Sequence, residues 1–221
     1  MNILVLGASR GLGLEFVRQY RGAWDRVTAT ARDDAGLARL QALGAQALKV
    51  DVTDPASVST LGWQLDGEKI DLALYVAGAM SRGGATEPPA RADFDRVMHT
   101  NVLGAMQVIP QVAPMVEAAG GRFVFISSEM GYIAGVDNSY SWVYRASKAA
   151  LNMTMVAAQS DYRKAIFVAM HPGWVKTDIG GGDAPLTPEQ SVTAMRRTIQ
   201  DLGPSHRKAF LNYDGRRFKG W

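Results

Sequence analysis

The residues with the clearest chemical potential are a tyrosine and a lysine four positions apart, Tyr144 and Lys148, in a segment that continues with good helix formers. Residues at this spacing share one face of a helix, so the two side chains are expected to interact. A free tyrosine has a pKa of about 10 and is a poor acid or base at neutral pH, but a neighbouring ammonium favours its ionised form. The pair therefore predicts an acid–base catalyst. Taken alone, an ordinary helix that carries both residues is the simpler interpretation.

A glycine-rich turn near the start of the chain predicts a dinucleotide site. It lies between the apolar run 3–6, which is typical of a buried parallel strand, and an amphipathic helix over residues 14–20. The turn consists of Gly7, Ala8, Ser9, Arg10, Gly11, Leu12 and Gly13. Small residues let the backbone approach a pyrophosphate, and the start of the helix offers free N–H groups and a positive dipole end. A tight connection without a ligand is the alternative, but the position between strand and helix favours the cofactor.

Two arginines predict which dinucleotide binds. Residues 26–31 are typical of a second strand, and Arg32 follows at the position that meets the adenosine ribose in such folds. An acidic residue there would accept from a free 2′-hydroxyl, whereas the guanidinium groups of Arg32 and Arg10 suit a 2′-phosphate. This favours NADP over NAD. Asp33 and Asp34 beside Arg32 weaken the argument, and solvated surface charge is the alternative.

Polar residues at the ends of later strands complete the candidate site. Asp51 follows a third strand and could accept from an adenine amino group. Ser127 and Ser128 follow a fifth strand, and ligands of open α/β sheets bind beyond the carboxyl ends of strands. Adjacent serines are also common turn residues, which is the alternative. Asn101 lies inside a long predicted helix, where it is either a satisfied buried amide or a residue that holds a water.

Composition excludes several classes of protein. The chain has 221 residues, 47% of them hydrophobic and 20% charged, with a net charge of +3 and no cysteine. The length and composition predict one globular domain with a substantial core. The small net charge argues against a nucleic-acid partner. The absence of cysteine removes disulfides, thiolate metal sites and cysteine nucleophiles, and no metal site is predicted. We expect no signal peptide and no apolar stretch long enough to span a membrane. We also expect a cytoplasmic location.

The remaining pattern alternates strands and helices without a repeat or a linker. Strands are predicted at 3–6, 26–31, 45–50, 70–76, 122–126, 166–170 and 209–211. Helices are predicted at 14–20, 37–43, 94–118 and 187–202. A further helix is predicted to follow a cap at residue 53 or 54, and another to continue from Tyr144. The alternation is that of a single doubly wound α/β domain. The glycine-rich residues 180–188 are interpreted as a lid over a substrate.

Several short motifs, taken in this order, resemble the short-chain dehydrogenase/reductase superfamily over essentially the whole chain. They are the glycine turn 7–13, Asp51-Val52, Ala77-Gly78, Asn101, Ser127-Ser128, Tyr144 to Lys148, and Pro172-Gly173. Residues 144–152 and 171–178, together with Trp221, resemble the branch that contains C-signal factor and the small carbonyl reductases. The resemblance implies a Rossmann-like parallel sheet of about seven strands.

The resemblance also implies roles for these residues. Tyr144 would protonate the substrate oxygen, Lys148 would lower the tyrosine's pKa and hold the nicotinamide ribose, and Ser128 would hydrogen-bond the carbonyl. Asn101 would bind a water in a proton relay behind Lys148, and Thr177 would contact the nicotinamide carboxamide. The implied cofactor-binding residues are Gly7, Ser9, Arg10, Gly11, Leu12, Gly13, Arg32, Asp51, Val52, Ala77, Gly78, Tyr144, Lys148, Pro172, Gly173, Val175 and Thr177.

Two features depart from the superfamily pattern. Tyr75-Val76 stand where asparagines usually precede Ala77-Gly78, which predicts a less well braced sheet and a looser cofactor geometry. Ser128 precedes Tyr144 by sixteen residues, about three more than usual, as in the C-signal-factor branch. We therefore assign the hydrogen bond to the substrate to Ser128 and expect Ser127 to pack or turn.

Together these residues predict an NADPH-dependent carbonyl reductase that acts on a small-molecule ketone or aldehyde. A dinucleotide-binding signalling protein with little catalysis is the alternative, and an alcohol dehydrogenase working oxidatively is a weaker one. The helices around 94–118 and 143–160 predict a homodimer or homotetramer. We expect the pocket to be shaped by Met130, Tyr132, residues 135–142, Trp174 and residues 179–188.

Overall fold

A parallel sheet in the order β3-β2-β1-β4-β5-β6-β7 forms the centre of the molecule within residues 1–23 and 25–221, which the computed structural model describes. Its strands are β1 (Asn2–Leu6), β2 (Arg26–Ala31), β3 (Gln46–Lys49), β4 (Leu72–Tyr75), β5 (Arg122–Ile126), β6 (Ile166–His171) and β7 (Ala209–Asn212). All six neighbouring pairs are parallel. The chain is therefore a single doubly wound α/β domain, as its sequence predicts.

The central strands are apolar on both faces because helices cover both sides of the sheet. Alternate residues of β1 enter different cores: Ile3 and Val5 belong to one layer, Leu4 and Leu6 to the other. All four of these side chains are at most 1% exposed. A strand with this burial needs no polar alternation, and this is why β1 is a continuous apolar run in the sequence.

Helices alternate with the strands along the chain. They are α1 (Gly11–Gly22), α2 (Asp34–Ala42), α3 (Pro55–Gln64), α4 (Arg91–Met98), α5 (Gly104–Ala119), α6 (Trp142–Ala158) and α7 (Pro188–Gln200). The predicted caps are confirmed at two starts. Asp54 accepts a hydrogen bond from the third residue of its turn, Ala56, and Thr187 forms a reciprocal capping box with Gln190.

The segment Arg91–Ala119 is one continuous helical element with a π-helical turn, His99–Leu103, between α4 and α5. By length and composition it is apolar enough to cross a membrane, which corrects the expectation that no stretch has that length. The helix is long because the π-turn joins α4 to α5 without a break. Its apolar face belongs to the core of the domain, where Val112, Ala113 and Val116 are fully buried. Length alone does not separate such a core helix from a membrane span.

Short 3₁₀ turns divide the segment that was expected to be a loop before the Tyr144 helix. They span Glu129–Gly131 and Ile133–Gly135. The first packs closely on α6, where a Cβ on Gly131 would lie 2.8 Å from the backbone carbon of Lys148. This contact fixes the distance between the end of β5 and the helix that carries Tyr144.

Candidate active site

A cleft of about 1250 Å³ opens at the carboxyl ends of the central strands. The strand order reverses between β1 and β4, and ligands of open α/β sheets bind at such a switch point. The cleft brings together all but one of the predicted site residues. It is lined by Gly7, Ser9, Arg10, Gly11, Leu12, Gly13, Arg32, Asp51, Val52, Ala77, Gly78, Ser128, Tyr144, Lys148, Pro172, Gly173, Val175 and Thr177. The exception is Asn101, which is fully buried behind the cleft wall.

The glycine turn exposes its backbone to the cleft because side chains do not fit inside the turn. A Cβ on Gly7 would lie 2.6 Å from the backbone of Ala77, and a Cβ on Gly13 would lie 2.3 Å from the carbonyl oxygen of Gly7. Gly7 also has a φ of +84°, a conformation that favours glycine. At the start of α1, Arg10 is the N-cap and makes no side-chain hydrogen bond to the helix. The first N–H groups of α1 are therefore available to an anion such as a pyrophosphate.

Basic side chains surround the end of the cleft next to β2. Arg32 is exposed, lines the cleft and follows β2 directly. Arg10 forms a 2.8 Å ion pair with Asp178 across the cleft, and both side chains are more than two-thirds exposed. Arg39 lines the same end and donates to the carbonyl of Ser9 at 2.9 Å. The charge at this end suits a phosphate, although Arg10 has a competing carboxylate partner.

The two aspartates beside Arg32 have partners of their own. Asp33 accepts a hydrogen bond from the N–H of Gly36 at 2.7 Å and caps α2. Asp34 forms a 2.8 Å ion pair with Lys49. These contacts remove the main objection to Arg32 as a phosphate ligand, since neither carboxylate bonds to Arg32.

Asp51 lies at the end of β3 with one carboxylate oxygen committed to the protein. This oxygen accepts from both the backbone N–H and the hydroxyl of Thr53, at 2.9 and 2.7 Å. The other oxygen makes no hydrogen bond to the described residues. It is available to accept from an adenine amino group, as the sequence predicts for this position.

Ser128 and Tyr144 meet at the inner end of the cleft. Burial raises the pKa of Tyr144 to about 12, and a hydrogen bond with Ser128 opposes this shift only in part. The Ser128 oxygen accepts from the N–H of Met130 at 3.1 Å, so the serine O–H is left to donate. Ser127 is turned away, with its hydroxyl bonded to Asn152 at 2.6 Å. The geometry thus supports the choice of Ser128 over Ser127.

Lys148 lies beside Tyr144 but does not draw the tyrosine's pKa down. Its Nζ is 5.6 Å from the centre of the Tyr144 ring and donates to the backbone carbonyl of Ile126 at 2.9 Å. Burial lowers the pKa of Lys148 to about 7, so at neutral pH the amine carries only part of a positive charge. This corrects the expected direction of the tyrosine shift: in the protein alone, desolvation of the phenol raises its pKa.

Asn101 lies in the π-helical turn and uses its whole amide within the protein. Its oxygen accepts from the N–H of Ala79 at 2.7 Å, and its NH₂ donates to the Ala79 carbonyl at 2.8 Å and to Ser147 at 2.9 Å. The Ser147 hydroxyl in turn donates to the backbone carbonyl of Tyr144 at 2.7 Å. Asn101 is thus a satisfied buried amide that ties the segment after β4 to the helix of Tyr144, and its predicted water relay stays a prediction.

The mouth of the cleft differs in part from the expected pocket. Met130, Tyr140 and Trp174 line it as expected. Tyr132 does not, because its ring packs against Phe218 with 5.2 Å between ring centres. Of the expected loop 135–142, Tyr140 is the residue that lines the cleft.

His171 is a lining residue that the sequence analysis left without a role. It ends β6, and burial lowers its pKa to about 4, so the imidazole is neutral at physiological pH. Its Nε2 is 3.7 Å from a carboxylate oxygen of Glu129.

The sequence analysis also missed Ser147, Ala79 and Ile126. Ser147 lies within the motif quoted for Tyr144 and Lys148, three residues after the tyrosine and therefore on the same helix face. Ala79 and Ile126 bond through backbone groups, which every residue type has, so the sequence could not indicate them.

Comparison with known proteins gives one consistent picture. Residues 1–185 match the family model described as short chain dehydrogenase. The chain is 36% identical over 149 residues to the C-signal protein of Myxococcus xanthus, covering 66% of this chain and 90% of that protein. A short-chain dehydrogenase/reductase from Burkholderia multivorans with bound NADP is 29% identical, with a TM-score of 0.87 over 98% of this chain and 97% of that one. Carbonyl reductase Sniffer of D. melanogaster is 26% identical, with a TM-score of 0.91 over 100% and 99%.

Proposed function

The chain belongs to the short-chain dehydrogenase/reductase family, and on that premise we propose that it reduces a small or medium-sized ketone or aldehyde with NADPH. The observation that carries the proposal is the meeting of the Tyr144 phenol and the Ser128 hydroxyl at the inner end of the cleft, with Lys148 beside them. These groups are donors placed where a carbonyl oxygen would gain negative charge. The similarity to a carbonyl reductase and to an NADP-bound dehydrogenase supports the same assignment.

The residues that line the cleft are of the types that NADPH binding requires. The glycine turn and the start of α1 would hold the pyrophosphate, and Arg32 and Arg10 would hold the 2′-phosphate. Lys148 would hold the nicotinamide ribose, and Thr177 the carboxamide. When bound, NADPH supplies the hydride for the carbonyl carbon. The protein supplies the proton and the orientation.

Tyr144 acts as the general acid. Its raised pKa of about 12 keeps the phenol protonated at neutral pH, which is the state that can donate to the substrate oxygen. Ser128 donates a second hydrogen bond to the same oxygen. Its own oxygen accepts from the Met130 N–H, which holds the oxygen in place and leaves the serine O–H to donate.

Lys148 and Asn101 support this step from behind. One ammonium proton of Lys148 goes to the Ile126 carbonyl, and the others are available to the ribose hydroxyls. Asn101 takes part in proton return to the lysine. Because its amide is fully used by Ala79 and Ser147, a water in this relay would be held by the Asn101 backbone.

The test is a panel of aldehydes and ketones with NADPH, followed by the loss of NADPH absorbance. Wild-type protein should turn over at least one member. Tyr144→Phe should reduce kcat about 10³-fold, since a positioned general acid contributes 10²–10⁴-fold. Its affinity for NADPH should stay within about twofold, because the phenol oxygen makes only one of the many cofactor contacts. Tyr140→Phe, a lining tyrosine half exposed at the mouth, is the matched control and should retain turnover. Full activity in Tyr144→Phe would refute the mechanism.

Cofactor choice has its own measurement. The affinities of wild-type protein for NADPH and NADH should differ in favour of NADPH, since two guanidinium groups face the adenosine end. A preference for NADH would overturn the argument from Arg10 and Arg32.

A second candidate function is dinucleotide-dependent signalling with little catalysis. The 36% identity to the C-signal protein favours it. The intact set of Tyr144, Lys148, Ser128 and Asn101 argues against it, because a binder has no need of an acid catalyst. Tight NADPH binding without turnover of any carbonyl compound, or of any alcohol with NADP in the reverse direction, would favour the signalling protein.

The functional unit in this proposal is a homodimer or homotetramer. Five large apolar side chains on α4, the π-turn, α5 and α6 are exposed: Phe94, Leu103, Met106, Trp142 and Met153. Exposed apolar side chains clustered on neighbouring helices mark contact surfaces between proteins. A symmetric contact through these helices would cover them.

A further inference from the structure

Tyr75 is a buried tyrosine at the end of β4 whose hydroxyl reaches into the π-helical turn. The side chain is 0% exposed, and its Oη donates to the backbone carbonyl of Thr100 at 2.7 Å. Burial raises the pKa of the Tyr75 phenol far above its ordinary value, so the hydroxyl is always a donor. The sequence predicts a loosely braced strand end at this point. The structure has a fully buried phenol with a specific backbone partner instead.

The contact depends on a matching residue in the helix. A Cβ on Gly104 would lie 2.6 Å from the Tyr75 hydroxyl, so a glycine at 104 makes room for the phenol. The N–H of Gly104 bonds to the carbonyl of His99, five residues earlier, as a π-turn requires. In such a turn the regular ladder of hydrogen bonds is shifted. The Tyr75 hydroxyl supplies a donor to a carbonyl inside it.

Hydrogen bonds lead from this turn to the acid catalyst. Asn101, the residue after Thr100, bonds both backbone groups of Ala79 and the hydroxyl of Ser147. Ser147 donates to the carbonyl of Tyr144. A change in the π-turn would therefore move the Asn101 amide. This amide links Ala79, in the segment after β4, to the helix that carries Tyr144.

We propose that Tyr75 is a positioning residue for the active site: its hydroxyl holds the π-turn in the register that aims Asn101 at Ala79 and Ser147. This inference rests on the proposed reductase function for its kinetic consequence, but not for its structural one. A tyrosine that merely fills the core would stabilise the fold without affecting the site selectively. The experiment must separate these two roles.

The first comparison pairs Tyr75→Phe with Tyr20→Phe. Tyr20 is equally buried, lies in the core layer on the opposite face of the sheet, and contacts Arg196. Both variants lose the hydroxyl of a buried tyrosine, but only the Tyr75 hydroxyl donates to a backbone carbonyl. With Tyr75→Phe we expect kcat to fall about tenfold while the affinity for NADPH stays within about twofold, since loss of one buried hydrogen bond is worth about that factor. Tyr20→Phe should leave kcat unchanged, because Tyr20 lies in the opposite core layer and its ring contact with Arg196 remains.

The second comparison is a double-mutant cycle with Asn101→Ala. If Tyr75 acts through the turn, adding Tyr75→Phe to Asn101→Ala should slow the enzyme less than about twofold further. Losses that multiply would overturn the proposal, and so would an unchanged kcat in Tyr75→Phe. Gly104→Ala is a second variant for the case that Tyr75→Phe does not fold. Its methyl group would lie 2.6 Å from the Tyr75 hydroxyl and 2.9 Å from the backbone oxygen of Val52, so it should displace the turn and lower kcat at least as much.

Amide hydrogen exchange tests the structural half without any turnover. In Tyr75→Phe the backbone amides of 99–104 and of Ala79 should exchange faster, with no such change in Tyr20→Phe. Unchanged exchange in this region would refute the positioning role. If the wild-type protein reduces no carbonyl compound, the proposed function fails, and the exchange result still decides whether Tyr75 holds the turn.

Discussion

The Nζ of Lys148 lies 5.6 Å from the centre of the Tyr144 ring, yet its hydrogen bond goes to the backbone carbonyl of Ile126 at 2.9 Å. Both side chains are buried, and burial acts on them in opposite directions. It raises the pKa of the phenol to about 12 and lowers the pKa of the amine to about 7. Desolvation disfavours the charged form of each group. In the free protein at neutral pH, Tyr144 is therefore protonated, and Lys148 is close to its pKa and only partly charged.

The pH dependence of reduction should report Lys148 and not Tyr144. The kcat/KM for NADPH reflects ionisations of the free protein, and we expect it to fall as pH rises through about 7, where Lys148 loses its charge. Tyr144 should contribute no ionisation between pH 6 and about 9, since its pKa is about 12. The measurement is a pH series of initial rates at low NADPH. Lys148→Arg is the control, because arginine stays charged, and any residual activity should lack the break. A break near 7 that persists in this variant would assign it to another group.

Removing the buried amine should stabilise the folded protein. The folded pKa of Lys148, about 7, lies below its unfolded value of about 10.5, so between these values the unfolded chain binds more protons and stability rises with pH. Lys148→Met should therefore raise the free energy of unfolding by roughly 1–3 kcal/mol at pH 7, after the lost bond to Ile126 is counted. The gain should persist at lower pH and disappear as pH approaches about 10.5.

Urea unfolding at pH 6, 7 and about 10 measures this effect. Lys69→Met, at an exposed lysine, is the matched control and should change the unfolding free energy by less than about 0.5 kcal/mol at each pH. A destabilised Lys148→Met protein at pH 6 would show that the amine is not desolvated in the way its burial indicates.

The sequence predicts the fold well because the central strands are simple. Residues 26–31 and 122–126 are strands with the predicted bounds. Residues 123–126 are a short apolar run, as expected of a strand that is buried on both faces. Helix starts that have a side-chain cap, such as the start of α7 at Thr187, can also be predicted from the sequence. The π-turn at 99–103 was not predicted. Its contacts with the Tyr75 hydroxyl, through the Thr100 carbonyl and at Gly104, form only in the folded protein.

The site is predicted less evenly. Tyr144 and Ser128 were proposed from spacing and from the family resemblance, and both line the cleft, while their catalytic roles stay predictions. The direction of the Tyr144 pKa shift was wrong because the sequence shows that a lysine is near but not how much water both groups lose. Hydrogen-bond partners that use backbone atoms, such as the Ile126 carbonyl, cannot be predicted from residue type, because every residue has a backbone carbonyl.

The ion pair between Arg10 and Asp178 should weaken NADPH binding slightly. The carboxylate competes with the 2′-phosphate for the same guanidinium, 2.8 Å away. Both side chains are largely exposed, so the pair is worth at most about 1 kcal/mol, and Asp178→Asn should tighten NADPH binding two- to about fivefold at low salt. NADH affinity should not change, because NADH has no 2′-phosphate. Titration of both cofactors by fluorescence tests this.

Two controls define the limits of the cofactor experiment. Asp161→Asn removes an exposed carboxylate that does not line the cleft and should leave both affinities unchanged. At high salt the advantage of Asp178→Asn should shrink, since screening weakens exposed pairs. An equal gain for NADH and NADPH would mean that Asp178 acts on the loop that carries it and not through Arg10.

The exposed apolar side chains of α5 and α6 should hold the proposed oligomer together. Met106 and Met153 are 52% and 67% exposed, and a charged group at either position would have to be desolvated in a contact between subunits. Met106→Glu combined with Met153→Glu should raise the dissociation constant at least about tenfold while NADPH binding persists. Size-exclusion chromatography with light scattering over a range of concentrations measures the shift. Trp63→Glu, at a 71% exposed tryptophan on α3, is the control and should leave the assembly intact. A wild-type monomer at all concentrations, or a double variant with an unchanged assembly, would exclude this face as the contact between subunits.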